Sequence, residues 1–133
     1  MAMLSPDQFE VNEAWILFKL NTIPLSTSLE GDFNVFGLMD AASCFLLGTA
    51  FVHIDAFELS TLESKRLLKD GYAHKKQYPR KVMIPTNQPA DTFTKEAKRH
   101  RMTVTLIPET QLRVFTNEAQ QGFHEHLGSG RIQ

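Results

Sequence analysis

The stretch FNVFGLMDAASCFLLGTAFV, residues 33–52, determines the fold because two apolar runs lie on either side of a short polar break. Residues 33–39 and 44–52 have the aromatic and β-branched content of strands. The break DAAS contains Asp40 and Ser43, whose short polar side chains are typical of turns. The stretch therefore predicts an antiparallel β-hairpin.

Hydrophobic periodicity around this hairpin predicts three more strands and three helices. The strands cover residues 13–21, 81–85 and 103–107, and the helices cover residues 60–71, 89–100 and 109–127. Ser60 and Glu63 form a capping-box pattern at the start of the first helix, and Gly71 and Gly128 are expected to end the first and third helices. The order β-β-β-α-β-α-β-α predicts an α/β fold, a five-stranded mixed sheet with helices packed on its faces.

The predicted strands supply the core of one domain. A chain of 133 residues with 42% hydrophobic and 22% charged residues has the composition of one globular domain. We expect a single domain over residues 1–133, with an ordered core at about 13–127 and tails at 1–9 and 128–133. Nine strand residues are expected to be buried: Leu17, Leu20, Val35, Leu38, Leu46, Val82, Ile84, Val104 and Leu106.

The single cysteine and the lengths of the apolar runs indicate in which cellular compartment the protein is expected. The chain has one cysteine, Cys44, which cannot form an internal disulfide and which we expect to be a small buried apolar residue. No stretch reaches the roughly 18 apolar residues of a membrane span, and the first residues do not resemble a secretory signal. We therefore expect a cytoplasmic protein with no membrane partner. Since no glycine-rich phosphate loop or zinc-spaced Cys/His set occurs, no cofactor is expected.

The element order and two motifs resemble the ribonuclease H-like fold, and within it the catalytic core of retroviral-type integrases and transposases. In residues 33–52, a strand ending in Asp-x-x-Ser (Asp40, Ser43) is followed by a strand that contains Gly48, similar to the family's second and third strands. Residues 84–104, IPTNQPADTFTKEAKRHRMTV, resemble its fourth strand, the following helix and the next strand. The resemblance covers residues 13–125.

The resemblance implies a site of three carboxylates, two Asp and one Glu, which hold two divalent metals for phosphodiester chemistry. The matching positions in this chain are Asn21, Asn87 and, on the last helix, Glu118. An amide brings no negative charge, and hard divalent cations that dehydrate reluctantly need that charge. The resemblance therefore implies a degenerate site without catalytic activity or bound metal.

Basic residues are concentrated in the middle of the chain. Residues 1–59 contain eight acids and one base, whereas residues 60–113 contain twelve bases and five acids. The pairs Lys65/Lys69 and Lys95/Arg99 have i, i+4 spacing, which places each pair on one helix face. A basic stripe of this kind favours nucleic-acid binding, and the alternative is a solvated surface. The candidate residues are Lys65, Arg66, Lys69, Lys75, Lys76, Arg80, Lys95 and Arg99.

Together these features favour a non-catalytic binding or assembly module on a ribonuclease H-like scaffold, with nucleic acid or a protein as its partner. Two alternatives stay open. One is a metal-dependent enzyme that cleaves or transfers phosphodiester strands with a rearranged carboxylate set. The other is a structural or regulatory homo-oligomer in which an edge strand or the hairpin pairs with a second copy.

Overall fold

A computed structural model describes residues 3–21, 24–27 and 31–129. A short 3₁₀ helix, Pro6–Gln8, precedes the strands and helices. The strands are β1 (Ala14–Lys19), β2 (Leu25–Thr27), β3 (Gly31–Asp40), β4 (Leu46–His53), β5 (Lys81–Pro85) and β6 (Thr103–Ile107), and the helices are α1 (Thr61–Lys75), α2 (Asp91–Arg99) and α3 (Glu109–Ser129). Within these described ranges, no helix has the length and apolar character needed to cross a bilayer.

All the strands belong to one mixed sheet in which β1 is central. β1 pairs with β3 on one side in antiparallel orientation and with β5 on the other side in parallel orientation. β4 lies outside β3, and β6 lies outside β5. The short strand β2 pairs with β3 along the edge that β1 also uses, because Phe33 pairs with Leu25 on that edge and with His53 on the other. The five predicted strands are therefore present, and β2 is an addition within the predicted connection at residues 22–32.

β1 is buried on both faces because its sequence AWILF is apolar at every position. Trp15 and Leu17 pack into the core beneath α1 and α2, whereas Ile16 and Phe18 pack into the core beneath α3. Alternate strand residues point to opposite faces, so a continuous apolar run fits a central strand covered on both sides. The expectation of helices on both faces is correct.

Gly71 was expected to end the first helix, and this expectation is wrong. α1 continues for four residues beyond it to Lys75, and the C-cap residue Lys76 adopts a left-handed conformation with φ 58°. Gly71 is buried against the indole ring of Trp15, and a Cβ atom there would lie 2.6 Å from the ring atom Cη2. The glycine therefore allows the helix to approach β1 closely. α3 likewise runs past Gly128 to Ser129.

The predicted core is largely correct. Six of the nine residues are buried: Leu17, Leu20, Val35, Leu38, Val82 and Ile84. Leu46 and Val104 are only partly buried, and Leu106 is 58% exposed. The expectation for Leu106 is wrong because β6 is an edge strand whose outer part α2 leaves uncovered. In the segment expected to be an N-terminal tail, Phe9 packs edge-on against Phe115, with ring centroids 5.9 Å apart.

The contact between Gly71 and Trp15 predicts opposite effects of two glycine-to-alanine changes. Gly71→Ala should lower the free energy of unfolding by about 1–3 kcal/mol, since the added methyl overpacks the core. Gly122→Ala in α3, where a Cβ atom meets nothing within 4 Å, should instead raise it by up to about 1 kcal/mol through helix propensity. Denaturant unfolding monitored by Trp15 fluorescence measures both values. Equal stabilisation by the two changes would contradict the close approach.

Candidate functional site at the ends of β1 and β5

Asn21 and Asn87 lie at the same end of the sheet, just beyond the carboxyl ends of β1 and β5. Each follows the end of its strand by two residues, since β1 ends at Lys19 and β5 ends at Pro85. The two strands are adjacent and parallel, with Trp15 paired to Val82 and Ile16 paired to Met83. The carboxyl ends of adjacent parallel strands lie together at one end of a sheet, and ligands of open α/β sheets bind at that end.

The side chain of Asn21 is bound to β3. It is 2% exposed, and its Oδ1 accepts a hydrogen bond of 2.8 Å from the backbone N–H of Val35. Its Nδ2 lies 3.3 Å from both the Phe33 carbonyl oxygen and Asn34 Oδ1, and donates to them. Val35 and Phe33 face the edge of β3 along which β1 and then β2 pair. The amide therefore bridges the gap between these two strands.

Asn87 is exposed and lines a small cavity of about 150 Å³ beside this amide cluster. Asn34, the hydrogen-bond partner of Asn21, lines the same cavity. Its other lining residues are Lys19, Phe36, Phe57, Gln88, Pro89 and Glu109. Glu109 is the one carboxylate among them, and it lies 3.9 Å from the Arg113 guanidinium, while Lys19 supplies an ammonium group. The structure thus brings Asn87 near the partner of Asn21 in a polar, mainly neutral cavity.

The residue of α3 that contacts the end of β1 is Gln120. Its Nε2 donates to the Lys19 carbonyl oxygen at 2.9 Å. Side chains two residues apart on a helix point about 200° apart, so exposed Glu118 lies on another face of α3. The negative charge of Glu118 acts instead on Cys44 in the turn between β3 and β4. The assignment of Glu118 to the third carboxylate position stays a prediction.

These donors are poorly suited to a pair of divalent cations. Oδ1 of Asn21 already accepts the Val35 N–H, and a buried amide oxygen carries no charge to offset dehydration of Mg²⁺. In residues 3–21, 24–27 and 31–129, no three His, Cys, Asp or Glu side chains are grouped so that they could hold a metal ion. What the cluster does offer is amide donors and acceptors next to one ammonium and one carboxylate group.

Asp40, at the far end of β3, has a structural role in the turn. Its carboxylate accepts hydrogen bonds from the Asn12 N–H at 2.6 Å and from the Ser43 N–H and hydroxyl at 2.9 and 2.8 Å. The predicted turn at DAAS is therefore present. Cys44 was expected to begin the next strand, but it lies in this turn with φ 59° and is partly buried. Burial, followed by the charges of Asp40 and Glu118, raises the pKa of its thiol, so the group is a poor nucleophile.

The N-terminus of α2, next to Asn87, is capped by Glu58. Its carboxylate accepts the N–H of Thr92 at 2.6 Å and the N–H of Asp91 at 3.3 Å. Burial opposes ionisation of Glu58, but the hydrogen bonds from Thr92 and Asp91 and the charge of Lys95 outweigh it and lower the pKa. The helix terminus is therefore occupied by a carboxylate of the chain itself.

The candidate nucleic-acid-binding residues divide into two groups. Two arginines have protein partners: Arg66 donates to Glu63, Asp70 and the Thr49 carbonyl, and Arg99 lies 3.7 Å from the buried Glu96. Together with Lys95, whose charge helps to lower the pKa of Glu58, they form the first group. The second group consists of residues that are exposed, as those of the first group are, but that have no ion pair within the described ranges: Lys65, Lys69, Lys75, Lys76 and Arg80.

The end of α1 and the end of α2 meet near the amino end of β5, at the opposite end of the sheet from Asn21. Tyr78, in the loop after α1, stacks on His100 after α2, with ring centroids 4.2 Å apart, and contacts Tyr72 at 4.8 Å. Lys75, Lys76 and Arg80 lie in the same segment. Topology therefore separates the polar cavity, at the carboxyl ends of β1 and β5, from these bases, at the amino end of β5.

Two solved structures show which known fold this arrangement shares. A chain of the simian T-cell lymphotropic virus intasome, determined in complex with the PP2A regulatory subunit B56 gamma, aligns with 98% of this chain at 14% identity and a TM-score of 0.50. The HTLV-2 integrase catalytic core domain, determined in complex with magnesium in a dimeric form, aligns over 82% of each chain at 10% identity and a TM-score of 0.48. No protein-family model and no curated protein matches this sequence.

The predicted fold class is confirmed by the likeness to the intasome chain. The chain has the ribonuclease H-like fold found in retroviral integrase catalytic cores, with the five main strands and three helices in the expected order. It spans just under half, 46%, of the intasome chain. At these identities the likeness concerns the fold alone.

The role of Asn21 in the sheet predicts a stability difference between the two asparagines. Asn21→Ala should lower the free energy of unfolding by about 1–3 kcal/mol, because it leaves the buried Val35 N–H without its acceptor. Asn87→Ala, at an exposed position, is the matched control and should change stability by less than about 0.5 kcal/mol. Chemical denaturation of both variants checks this, and a loss at Asn87 equal to that at Asn21 would contradict the assigned role.

Proposed function

We propose that this chain is a non-catalytic binding module on a ribonuclease H-like scaffold, located in the cytoplasm, and that it binds nucleic acid through an exposed basic surface. The observation that carries the first part is the Asn21 amide. At the position where the resemblance implies a metal-binding aspartate, a neutral side chain makes hydrogen bonds along β3. An amide with this use is a structural group and not a metal ligand.

The environment of Asn87 supports the same proposal. Asn87 lines two cavities with one carboxylate each: the smaller contains Glu109 beside the Lys19 ammonium group, and the larger contains Asp91 beside Lys98. A two-metal site needs several carboxylates to neutralise both ions. The alternative of a phosphodiester enzyme with a rearranged site would have to rely on Glu109 or Asp91, and the position of these two carboxylates in the cavities that Asn87 lines is the strongest observation in its favour.

Metal titration tests the non-catalytic proposal. Calorimetric titration with Mn²⁺ and with Mg²⁺ should show no saturable binding in the micromolar range. Single- and double-stranded DNA and RNA should remain uncleaved in the presence of either ion. Saturable tight binding of either ion would contradict the proposal, and its loss in Glu109→Gln or in Glu118→Gln would identify the carboxylate on which a rearranged enzyme relies.

The basic surface, defined as Lys65, Lys69, Lys75, Lys76 and Arg80, supports the second part of the proposal. These five side chains are exposed along α1 and the loop that follows it. Tyr72, which is 38% exposed, lies among them and offers a ring on which a base can stack. Cations that neutralise phosphates, interspersed with an aromatic ring, are the features of sequence-independent nucleic-acid binding.

Salt dependence tests this surface. Because each neutralised phosphate releases counterions, the affinity for single- or double-stranded DNA or RNA should fall by about tenfold or more between about 50 and 200 mM salt. The double variant Lys69→Glu, Lys76→Glu should weaken binding and flatten this dependence. The matched control Lys19→Glu, Arg113→Glu makes the same charge change outside the basic surface and should bind almost as the wild type does. Fluorescence anisotropy measures all three proteins.

The outcome of the control identifies the binding site. Loss of binding in the Lys19, Arg113 variant alone would place nucleic acid at the polar cavity and contradict the basic surface. No binding of the wild type at low salt would contradict nucleic acid as the partner and favour a protein.

A further inference from the structure

The outer edge of β6 leaves backbone hydrogen-bonding groups unpaired within the described part of the chain. The Thr103 N–H donates to the Arg80 carbonyl at 2.9 Å, and the Ile107 carbonyl accepts from the Thr86 N–H at 3.0 Å, so these residues face β5. Backbone groups of successive strand residues point to opposite edges. The N–H and C=O groups of Val104 and Leu106 therefore point outward.

The opposite edge of the sheet is protected. In the pairing of β3 with β4, the Ile54 N–H donates to the Asp32 carbonyl, so the alternate residue Thr49 has its backbone groups directed outward. The Thr49 carbonyl accepts a hydrogen bond of 2.7 Å from Arg66. Natural edge strands are usually guarded by charges, prolines or bulges, and β6 with the sequence TVTLI contains no charge and no proline. β4, with the sequence LLGTAFVH, also has no charge and no proline, but its pairing with β3 shifts register between Leu38 and Met39 and Arg66 covers part of its outer side, so of the two edges β6 is the more open to another strand.

A groove of about 500 Å³ runs beside this edge, between α2 and β6. Val104 and Leu106 are its apolar lining on β6, and Leu106 is 58% exposed. On α2 the lining residues Asp91, Thr94 and Lys98 follow the spacing i, i+3, i+7 and form one stripe. Since α2 runs from the end of β5 back to the start of β6, Asp91 lies toward the carboxyl end of β6 and Lys98 toward its amino end.

We propose that a second copy of this chain occupies this groove, with the two β6 strands antiparallel around a two-fold axis at Thr105. The proposal goes beyond the nucleic-acid-binding module proposed above by adding a protein partner, a second copy of the chain. Val104 of each copy then forms the hydrogen-bonded pair with Leu106 of the other, and the two sheets become continuous. The pairing is isologous and closed, so it yields a dimer and not a fibre.

Charge complementarity favours a second copy over an unrelated strand. A two-fold axis perpendicular to the sheet keeps both α2 helices on the same face and reverses the direction of one. Asp91 of each copy is thereby brought to the end of the groove where Lys98 of the other copy lies. Both side chains are exposed, so the groove carries an acid at one end and a base at the other, a pattern complementary to its own reversed copy.

Sedimentation velocity of the 133-residue chain between about 10 µM and 1 mM tests the pairing, since dimer formation depends on concentration. The wild type should shift from monomer to dimer in this range. Leu106→Lys, which places a charge on the edge, should raise the dimer dissociation constant by about tenfold or more. Phe51→Lys, at a residue of β4 that is 54% exposed, is the matched control and should dimerise as the wild type does. A wild type that stays monomeric, or a dimer unaffected by Leu106→Lys, would overturn the proposal.

A mixing experiment tests the antiparallel arrangement. Asp91→Lys and Lys98→Asp should each weaken self-association by about tenfold. In the dimer of either variant, positions 91 and 98 of opposite copies carry the same charge, and this repulsion occurs twice. An equimolar mixture should regain the wild-type affinity, since the mixed dimer restores two opposite-charge pairs. A mixture no tighter than the separate variants would refute this arrangement. These outcomes are independent of the metal titration. A protein that stays monomeric and binds no Mn²⁺ refutes only the β6 pairing. A protein that dimerises and binds Mn²⁺ tightly refutes only the proposal of a non-catalytic module.

Discussion

The ten-residue strand β3 must be paired along one edge by two shorter segments, β1 and β2, and the Asn21 amide fills the gap between them. The Val35 N–H needs an acceptor and the Phe33 carbonyl needs a donor, and one side chain supplies both. A carboxylate at this position would keep the acceptor for Val35 but could not donate to Phe33. The sheet therefore favours an amide where the resemblance to integrase cores implies an acid.

This use of Asn21 has a consequence for function. In an integrase-type fold, the carboxyl ends of β1 and β5 are the place where the resemblance puts metals and phosphodiester chemistry. Here the small cavity beside Asn21 and Asn87 has one carboxylate, Glu109, and Glu58 and Asp91 lie nearby at the N-terminus of α2, while the exposed bases follow α1 toward the amino end of β5. The exposed bases and the position that corresponds to the integrase metal site thus lie at opposite ends of the strands in this molecule.

Much of the fold could be predicted from the sequence because local pattern and tertiary environment agree. β5 and β6 have the predicted bounds, since short apolar runs between polar connections leave little choice of register. β2 was missed because three residues within a turn-rich connection carry no periodicity of their own, and they are held by the edge of β3. Gly71 was wrongly predicted to end α1, because the residue that requires a glycine at this position is Trp15, whose ring is distant in sequence.

The candidate site was predictable only in part. Asn21 and Asn87 could be placed at one edge because they follow parallel strands, but the partners of Asn21 on β3 depend on where β1 ends and β2 begins. Gln120 was missed because helical spacing alone does not tell which polar residue of α3 faces the sheet end, and only its contact with Lys19 does. Its spacing from Leu112 and Thr116, at i+8 and i+4, is the signal that could have found it.

The central claim is that the Asn21 amide belongs to the sheet and not to a metal site. Nuclear magnetic resonance of the Asn21 and Asn87 side-chain amides during addition of Mn²⁺ tests it most directly, since the paramagnetic ion broadens signals of nearby groups. The account predicts that neither amide is selectively broadened at micromolar Mn²⁺ and that the Val35 amide proton exchanges as slowly as those within the β1–β3 ladder. Selective broadening of both asparagine signals, together with fast exchange at Val35, would contradict it.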